Sequence, residues 1–503
     1  MTAATEGLFR LHGGLRLPAR KTISTGRSIR PVPIPPRLVM PLGRRTGIAR
    51  PLVRVGDRVD RGQRIAAGTE TVATDVHASS SGVVSAVEER PVAGREPGTA
   101  PCIVIDTDGE DRLHADCRPL ATDVVGDAAT LAGAIEAAGL VGLGGAAYPT
   151  APKLAEGLSR GLEGLILNGA ECEPYISCDD LLMREHAGEI LAGAALMLTA
   201  LQIRRCFIAI ESDKPEAWQA MTEALADSDV EGVELVQIPT VYPSGGEDQL
   251  VMLLTGREVP TGGLPADVGY LVHNVGTAEA VARLAATGEP FISRVATVTG
   301  DGVAEPGNFR VRLGTPMADL VRAAGGYTDA AEFLIMGGPM TGISLPHDDF
   351  PVTGATNCVI ATAAEPQRSM EPERPCIRCG ECAGVCPVRL LPQQIYRHCR
   401  PPEEAGLARF GLEDCIECGC CDLVCPSHIP LTASFRRAKA AVRLSAHERQ
   451  KAERARRRFE DRERRLRERD EAARRSLDEA KRDAGADAIR EILDRQRRRE
   501  DGD

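Results

Sequence analysis

A chain of 503 residues has room for three or four domains, and its 61 basic against 72 acidic side chains give a formal net charge of −11. That balance lends nucleic-acid binding no general electrostatic support. The longest nearly apolar run, Ile190 to Ile203, is too short to span a bilayer and carries Ala, Gly and Thr throughout, so it is expected as a buried helix. The opening MTAATEGLFRLHGG has no apolar segment before a small-residue cleavage site, and no signal peptide is expected. Of the sixteen cysteines, eight fall in a twin run near the C-terminal end. The other eight (Cys102, Cys117, Cys172, Cys178, Cys206, Cys358, Cys399 and Cys420) have no ligand spacing and read as reduced thiols packed as small hydrophobes.

Residues 1–120 form the first expected domain. Between Leu38 and Val87, short apolar strands are punctuated by turns, as in Val55-Gly56-Asp57 and Gly62-Gln63, which is hairpin patterning. The stretch resembles the barrel-sandwich fold of lipoyl and biotinyl carrier domains. A carrier needs a lysine at the hairpin tip, and aligning on Gly82-Val83-Val84 puts Thr71 there, so a structural or docking role is expected.

Residues 121–290 alternate helical patterns (Ala128–Ala138, His186–Leu201) with strand patterns (Gly164–Leu167, Arg205–Ile210, Gly232–Ile238), which argues a Rossmann-like α/β domain with a largely parallel sheet. Three loops interrupt it. Gly142-Leu143-Gly144-Gly145-Ala146-Ala147-Tyr148-Pro149 is followed by Lys153. Backbone N–H groups of such a loop can approach an anion closely, with the lysine as countercharge, although a plain flexible turn reads the same way. Asn168-Gly169-Ala170-Glu171-Cys172-Glu173-Pro174 follows a strand, at the carboxyl end where open sheets bind ligands. The third loop joins Tyr242–Leu250, containing Glu247, with His273-Asn274-Val275-Gly276-Thr277.

Together the segments GLGGAAYPTAPK, NGAECEP, GGEDQL and HNVGT resemble the flavin- and NADH-binding subunit of respiratory complex I over residues 135–365. That resemblance implies FMN contacts from Gly142, Gly144, Gly145, Lys153, Asn168, Asn274 and Thr277, with Glu171, Glu173 and Glu247 lining the FMN and nicotinamide region. It also puts Tyr148 at an aromatic position that stacks on the nicotinamide nucleotide, while Ala170 and Leu143 stand where that subunit usually has Asp and Arg. Residues 291–365 then read as a strand, a Pro-Gly turn, a second strand and a helix ending at Gly325-Gly326, resembling a soluble-ligand-binding β-grasp module. With no titratable cluster evident in it, its expected role is structural.

The twin run occupies residues 366–440: CIRCGECAGVCP from Cys376 and CIECGCCDLVCP from Cys415. Each half is Cys-x-x-Cys-x-x-Cys-x-x-x-Cys-Pro, the spacing with which bacterial ferredoxins hold cubane clusters, the fourth cysteine of each run serving the other cluster. One 4Fe-4S cluster is therefore expected on Cys376, Cys379, Cys382 and Cys425, and a second on Cys415, Cys418, Cys421 and Cys386. Zinc or disulfides are the competing readings; zinc would not require the duplicated three-plus-one pattern. Residues 441–503 hold 21 basic and 17 acidic side chains, so the tail is net positive and the rest of the chain stands at −15. Opposite charges at helical spacing favour a solvated helix without an apolar stripe; it is expected to be a fraying exposed helix or a disordered tail, with a polar contact to partner subunits or anionic lipid as the alternative.

The order of these parts, a multidomain mix of α/β and α+β units, resembles the RnfC (also RsxC) family of ion-translocating electron-transport complexes over about residues 8–440. The resemblance implies a peripheral subunit on the cytoplasmic side of the cell inner membrane that passes electrons between NAD(H), FMN and two 4Fe-4S clusters. Its implied partners are integral-membrane and cluster- or flavin-bearing subunits of the same Rnf/Rsx complex, with no nucleic acid. A soluble NADH dehydrogenase or diaphorase subunit, and an electron-transfer scaffold without NADH binding, stay open as alternatives.

Overall fold

The computed structural model describes residues 7–500 except 45–46, 69–73, 95–96 and 364–370. Thr71, at the expected hairpin tip, lies outside the described residues. In the first domain the turn-punctuated strands pair as expected. A long antiparallel hairpin, Gly82–Ala93 with Pro97–Thr107, is flanked by Arg37–Pro41 and Arg58–Val59. A second small sheet (Arg50–Pro51, Arg64–Ala67, Val76–His77) contributes to the same core, where Leu38, Ile65, Val84, Ile103 and Ile105 are fully buried.

The α/β domain has four strands, Gly164–Gly169, Cys206–Glu211, Val233–Ile238 and Tyr270–Asn274, all parallel. Three of them are near-continuous apolar runs because helices cover both faces of the sheet. The apolar run foreseen as a buried helix forms Ala187–Leu201 and buries Ile190, Leu191, Ala194, Met197, Leu198 and Leu201. Across the sheet the order is Val233–Ile238, Cys206–Glu211, Gly164–Gly169, Tyr270–Asn274. The chain leaves Gly164–Gly169 toward one side and later returns on its other side. The topological switch point, where open sheets bind ligands, thus lies between the carboxyl ends of Gly164–Gly169 and Tyr270–Asn274.

The β-grasp region supplies Ser293–Thr299, Gly307–Arg312, Phe333–Met336, Ile343–Leu345 and Cys358–Thr362, with the helix Met317–Ala323. Arg30–Pro31, from the far N-terminal side, adds a parallel edge strand to this sheet.

The cysteine-bearing segment folds as two matched halves offset by 39 residues. Arg378 and Glu417 both have positive φ (61° and 59°), as do Gly380 and Gly419 (87° and 78°) and Arg389 and His428 (55° and 51°). The helical turns Glu381–Gly384 and Cys420–Leu423 follow the paired glycines. The last helix, Leu431–Glu500, begins inside this segment and runs unbroken through position 441, where the composition changes. Its first turns bury Phe435 and Ala438 against Ile395, Leu407, Leu412 and Ile429. Beyond that point it is held by side-chain pairs at helical spacing, of which Glu453–Arg457, Glu463–Arg467, Glu471–Arg475 and Glu491–Arg495 have the favourable Glu-first order.

A segment without any periodicity ties the domains together. Leu15 exchanges two backbone hydrogen bonds with Tyr242 (2.8 Å each), and the Gly14 N–H donates to the Val385 carbonyl at 2.9 Å. Gly13 has φ 58°, and a Cβ there would come within 2.7 Å of the Val385 and Cys386 backbone. Gly13→Ala is therefore expected to lower stability by more than about 1 kcal/mol, read as a drop in thermal midpoint. Gly26→Ala, where a Cβ meets nothing within 4 Å, is the control that should leave it unchanged.

Candidate functional site

The glycine loop closes on the sheet through its own backbone. Val141 bridges Pro149, and the Gly142 N–H donates to the Tyr148 carbonyl at 2.8 Å, lifting residues 143–147 as an arch before the helix Thr150–Arg160. Thr277, fully buried, accepts the Leu143 N–H at 3.0 Å and so ties this arch to the helix Val275–Thr287. Buried Arg294, from the β-grasp region, donates to the carbonyls of Leu143 (3.2 Å) and Gly354. Gly145 has φ 103°, and neither it nor Gly144 is a glycine because of crowding: a Cβ on either would come no nearer than 3.6 Å to Asn274 or 3.9 Å to Asn357.

The two strand ends of the switch point meet through their asparagines. Asn274 caps its helix through the Gly276 N–H at 2.8 Å, while its Nδ2 donates to the Asn168 carbonyl (3.3 Å) and to Asp179 (2.6 Å). Asn168 in turn donates to the Gly245 carbonyl at 2.9 Å. Lys153 donates to Glu247 and to the Val272 carbonyl, each at 2.6 Å, so both side chains stand at the same rim. Tyr148 is 43% exposed. Of the expected residues, contacts thus link Gly144, Lys153, Asn168, Glu247 and Asn274 to the two strand ends at the switch point, a crevice by topology, and Gly142, Gly145, Tyr148 and Thr277 belong to or hold the arch beside it.

Glu171 and Glu173 are committed elsewhere. Both Glu171 carboxylate oxygens accept backbone N–H groups at the start of the helix Cys178–Glu185, from Asp179 (2.7 Å) and Asp180 (3.0 Å), and Lys21 donates to the Glu171 carbonyl. The unsatisfied first-turn donors of a helix attract a carboxylate in this way. Glu173 accepts the Met340 N–H at 2.8 Å and the Thr341 hydroxyl, clamping the α/β domain to the β-grasp turn, and burial pushes its carboxyl up. The resemblance implies a place for both at the cofactor; in this fold each also joins two elements, Glu171 the strand end to the helix Cys178–Glu185 and Glu173 the α/β domain to the β-grasp turn.

Asp179 and Asn357 carry no sequence signal of their own. Asp179 reaches the crevice only through Asn274, and Asn357 arrives beside Gly145 from the β-grasp region. Burial, and then the neighbouring Glu171 carboxylate, push the Asp179 carboxyl up to about 7. The folded state therefore holds a proton that the unfolded chain, with an ordinary Asp near 3.9, has released. Stability is expected to fall as pH rises from about 4 to about 7 on this account, and Asp179→Asn should flatten that part of a denaturation-versus-pH curve.

In the cysteine segment, an apolar-walled cavity is lined by Cys386, Cys415, Cys418, Cys420 and Cys421, with Leu390, Ile416 and Phe435. One cysteine of the first run is thus brought among three of the second and the neighbouring Cys420. Cys376 and Cys379 are exposed on the outer side, and Cys382 is buried. The cavity half touches the α/β domain directly: the Tyr242 hydroxyl donates to the Cys418 carbonyl at 2.6 Å, and Tyr242, Met340 and Cys420 form one buried cluster with Cys172, Val385 and Cys418 at its margin. Burial pushes the thiols of Cys102, Cys172 and Cys206 up to about 12, which keeps them protonated.

Three segments match known domain families: residues 9–110 the RnfC barrel sandwich hybrid domain, residues 135–283 the Nuo51 FMN-binding domain and residues 295–344 the SLBB domain. Sheet, switch point and match together define a multidomain chain built around a domain of the Nuo51 FMN-binding family. Curated relatives narrow this further. The C subunit of an ion-translocating oxidoreductase complex from Yersinia pestis is 42% identical over 90% of this chain and 73% of its own length. Those from Erwinia tasmaniensis and Pseudomonas aeruginosa are each 44% identical over 90% of this chain. The chain belongs to the RnfC family of ion-translocating oxidoreductase complex subunits. It spans 56% and 58% of the length of the Erwinia and Pseudomonas relatives. Among solved structures, an NAD+-reducing NiFe hydrogenase in its air-oxidised state overlaps with a TM-score of 0.45 at 20% identity, covering 64% of this chain and 67% of that one.

Proposed function

We propose that this chain is the peripheral electron-entry subunit of a membrane-bound complex that couples electron transfer between NADH and ferredoxin to ion translocation. It would sit at the cytoplasmic face of the inner membrane, beside integral-membrane and cluster-bearing partner subunits. Among the described residues no helix is long and apolar enough to cross a membrane, so ion movement is assigned to those partners. The observation that carries the reading is the joint between the crevice and the cysteine cavity. Asn168 at the switch point bonds Gly245, three residues along the same loop Tyr242 bonds Cys418, and Cys418 lines the cavity.

The residues of the crevice fit FMN. Gly144 and Gly145 leave room against the backbone, and among the described residues two buried polar atoms on the flanking elements, Thr150 Oγ1 and His273 Nε2, have no hydrogen-bond partner. The arch and the helix behind it would hold the phosphate, Asn168 and Asn274 would orient the ring system, and Tyr148 would stack on the nicotinamide nucleotide. Bound there, FMN supplies the conversion from a two-electron hydride donor to one-electron acceptors. Burial holds His273 well below its ordinary range, so it stays neutral beside Lys153, which leaves the lysine as the local cation.

The cysteine residues fit two 4Fe-4S clusters. The matched positive-φ turns give each half the same loop, and a cavity lined by Cys386, Cys415, Cys418, Cys420 and Cys421 supports the crossed set Cys386, Cys415, Cys418 and Cys421. Cys376, Cys379, Cys382 and Cys425 would hold the second cluster, toward solvent and a partner. The first is then the inner cluster, nearest the crevice, and the second the exit. Lys153→Ala tests the division of sites. FMN content should fall while iron content is unchanged, and equal loss of both would contradict two independent sites.

A further inference from the structure

The helix Leu431–Glu500 makes its last ion pair with the body at Arg449, which bridges Glu404 at 2.9 Å. From 451 to 498 every residue is exposed. At about 100° per residue, Lys451, Arg454, Arg458, Arg462, Arg465 and Arg469 fall within an arc of about 80°, in single file along roughly 27 Å of helix. The acidic residues from Glu453 to Glu468 all fall outside that arc: Glu453, Glu460 and Glu463 on the opposite side, Asp461 and Glu468 along one flank. There they neutralise the remaining arginines: Glu453 pairs Arg457, Glu460 pairs Arg456, Asp461 pairs Arg464 and Glu463 pairs Arg467. Among the described residues, Lys451, Arg454, Arg458, Arg462 and Arg465 have no carboxylate partner; Arg454 and Arg465 reach only carbonyls of their own helix. Along the other flank of the row stand Ala452, Ala455, Phe459 and Leu466, with Phe459 62% and Leu466 40% exposed.

We propose that residues 451–469 are a docking surface for an anionic lipid bilayer, the row of cations, free from Lys451 to Arg465 and ending at Arg469 beside Asp470, lying on the headgroups and Phe459 and Leu466 inserting beside them. A cationic arc flanked by a thin apolar line is the pattern of helices that lie in a membrane interface, and each basic side chain near an anionic leaflet adds to the attraction. A folded protein partner is less well matched. The row offers two large apolar side chains and no heptad seam to bury, whereas a uniform sheet of negative headgroups needs neither pocket nor register. The rest of the chain, at −15, would be repelled by the same surface, so the helix holds the contact out from the body. The inference rests on the helix alone and stands apart from the cofactor assignments.

Flotation of the full chain with phosphatidylglycerol/phosphatidylcholine vesicles, against vesicles of phosphatidylcholine alone, tests it. The chain is expected to bind the anionic vesicles at low salt and to be released at high salt. Replacing Lys451, Arg454, Arg458, Arg462 and Arg465 together by Gln should weaken that binding on the order of a hundredfold or more. A second variant replacing the paired Arg456, Arg457, Arg464 and Arg467 by Gln should lose much less. Circular dichroism confirms that both variants keep the helix. Absence of binding to anionic vesicles, equal binding to neutral ones, or equal loss in the two variants overturns the proposal.

Discussion

Cys386→Ser is expected to remove the same cluster as Cys415→Ser and to leave the cluster lost in Cys382→Ser intact. The reason is the crossed cavity: Cys386 lies 29 positions before Cys415 in sequence, yet it lines one chamber with Cys415, Cys418 and Cys421. Each variant should lose about four of about eight iron atoms while retaining its flavin. Mössbauer and EPR spectra of the reduced proteins read the outcome directly. If Cys386→Ser and Cys382→Ser erase the same signal, the runs act separately and the crossed assignment is wrong. Serine is a poor ligand for iron, and because Cys420 and Thr432 also line the chamber, the comparison is made in a Cys420→Ala background, where no spare thiol is left on its wall.

Thr277→Val should release flavin and leave iron untouched. The Thr277 hydroxyl is the acceptor for the Leu143 N–H, and both residues are buried. Valine fills nearly the same volume but leaves that donor without a partner, a loss of about 1–3 kcal/mol falling on the arch that would carry the phosphate. Flavin affinity is expected to drop about tenfold or more for a loss of that size. Thr277→Ser, which restores the acceptor, should recover most of it. Fluorescence of released flavin measures the first, and iron analysis the second. A Val variant with unchanged flavin affinity would mean that the arch is positioned by Arg294 and Gly142 alone.

Much of this was legible in the sequence because local rules dominate there. The apolar runs LILN, FIAI and VELVQI become parallel strands within a residue or two of their expected limits, whereas His273 and Asn274, read as part of a loop, end the fourth strand, Tyr270–Asn274. The duplicated cysteine spacing maps onto two halves with matching positive-φ positions. What stayed hidden depends on contacts distant in the chain. The strap around Gly13 and Gly14 has no periodicity, and its meaning lies in carbonyls more than 200 residues away. Glu171 and Glu173 look like site carboxylates, but one meets a helix start and the other a β-grasp turn, and neither partner is adjacent in sequence. Tyr242 reads as an ordinary loop aromatic until Cys418 is placed beside it. The last helix was ambiguous because side-chain pairs of a few tenths of a kcal/mol each do not by themselves decide between a helix and a frayed tail.

The central claim is that one chain takes electrons from NADH at the crevice and hands them to the inner cluster through the Tyr242–Cys418 joint. Anaerobic mixing of NADH with the purified chain, loaded with FMN and iron–sulfur clusters, tests it most directly, with flavin absorbance and cluster EPR followed in time. The account predicts that the flavin band bleaches first and that the signal abolished by Cys386→Ser then appears, before the signal abolished by Cys382→Ser. A chain that binds its full complement of flavin and iron, yet keeps an unchanged flavin spectrum at high NADH, would contradict it.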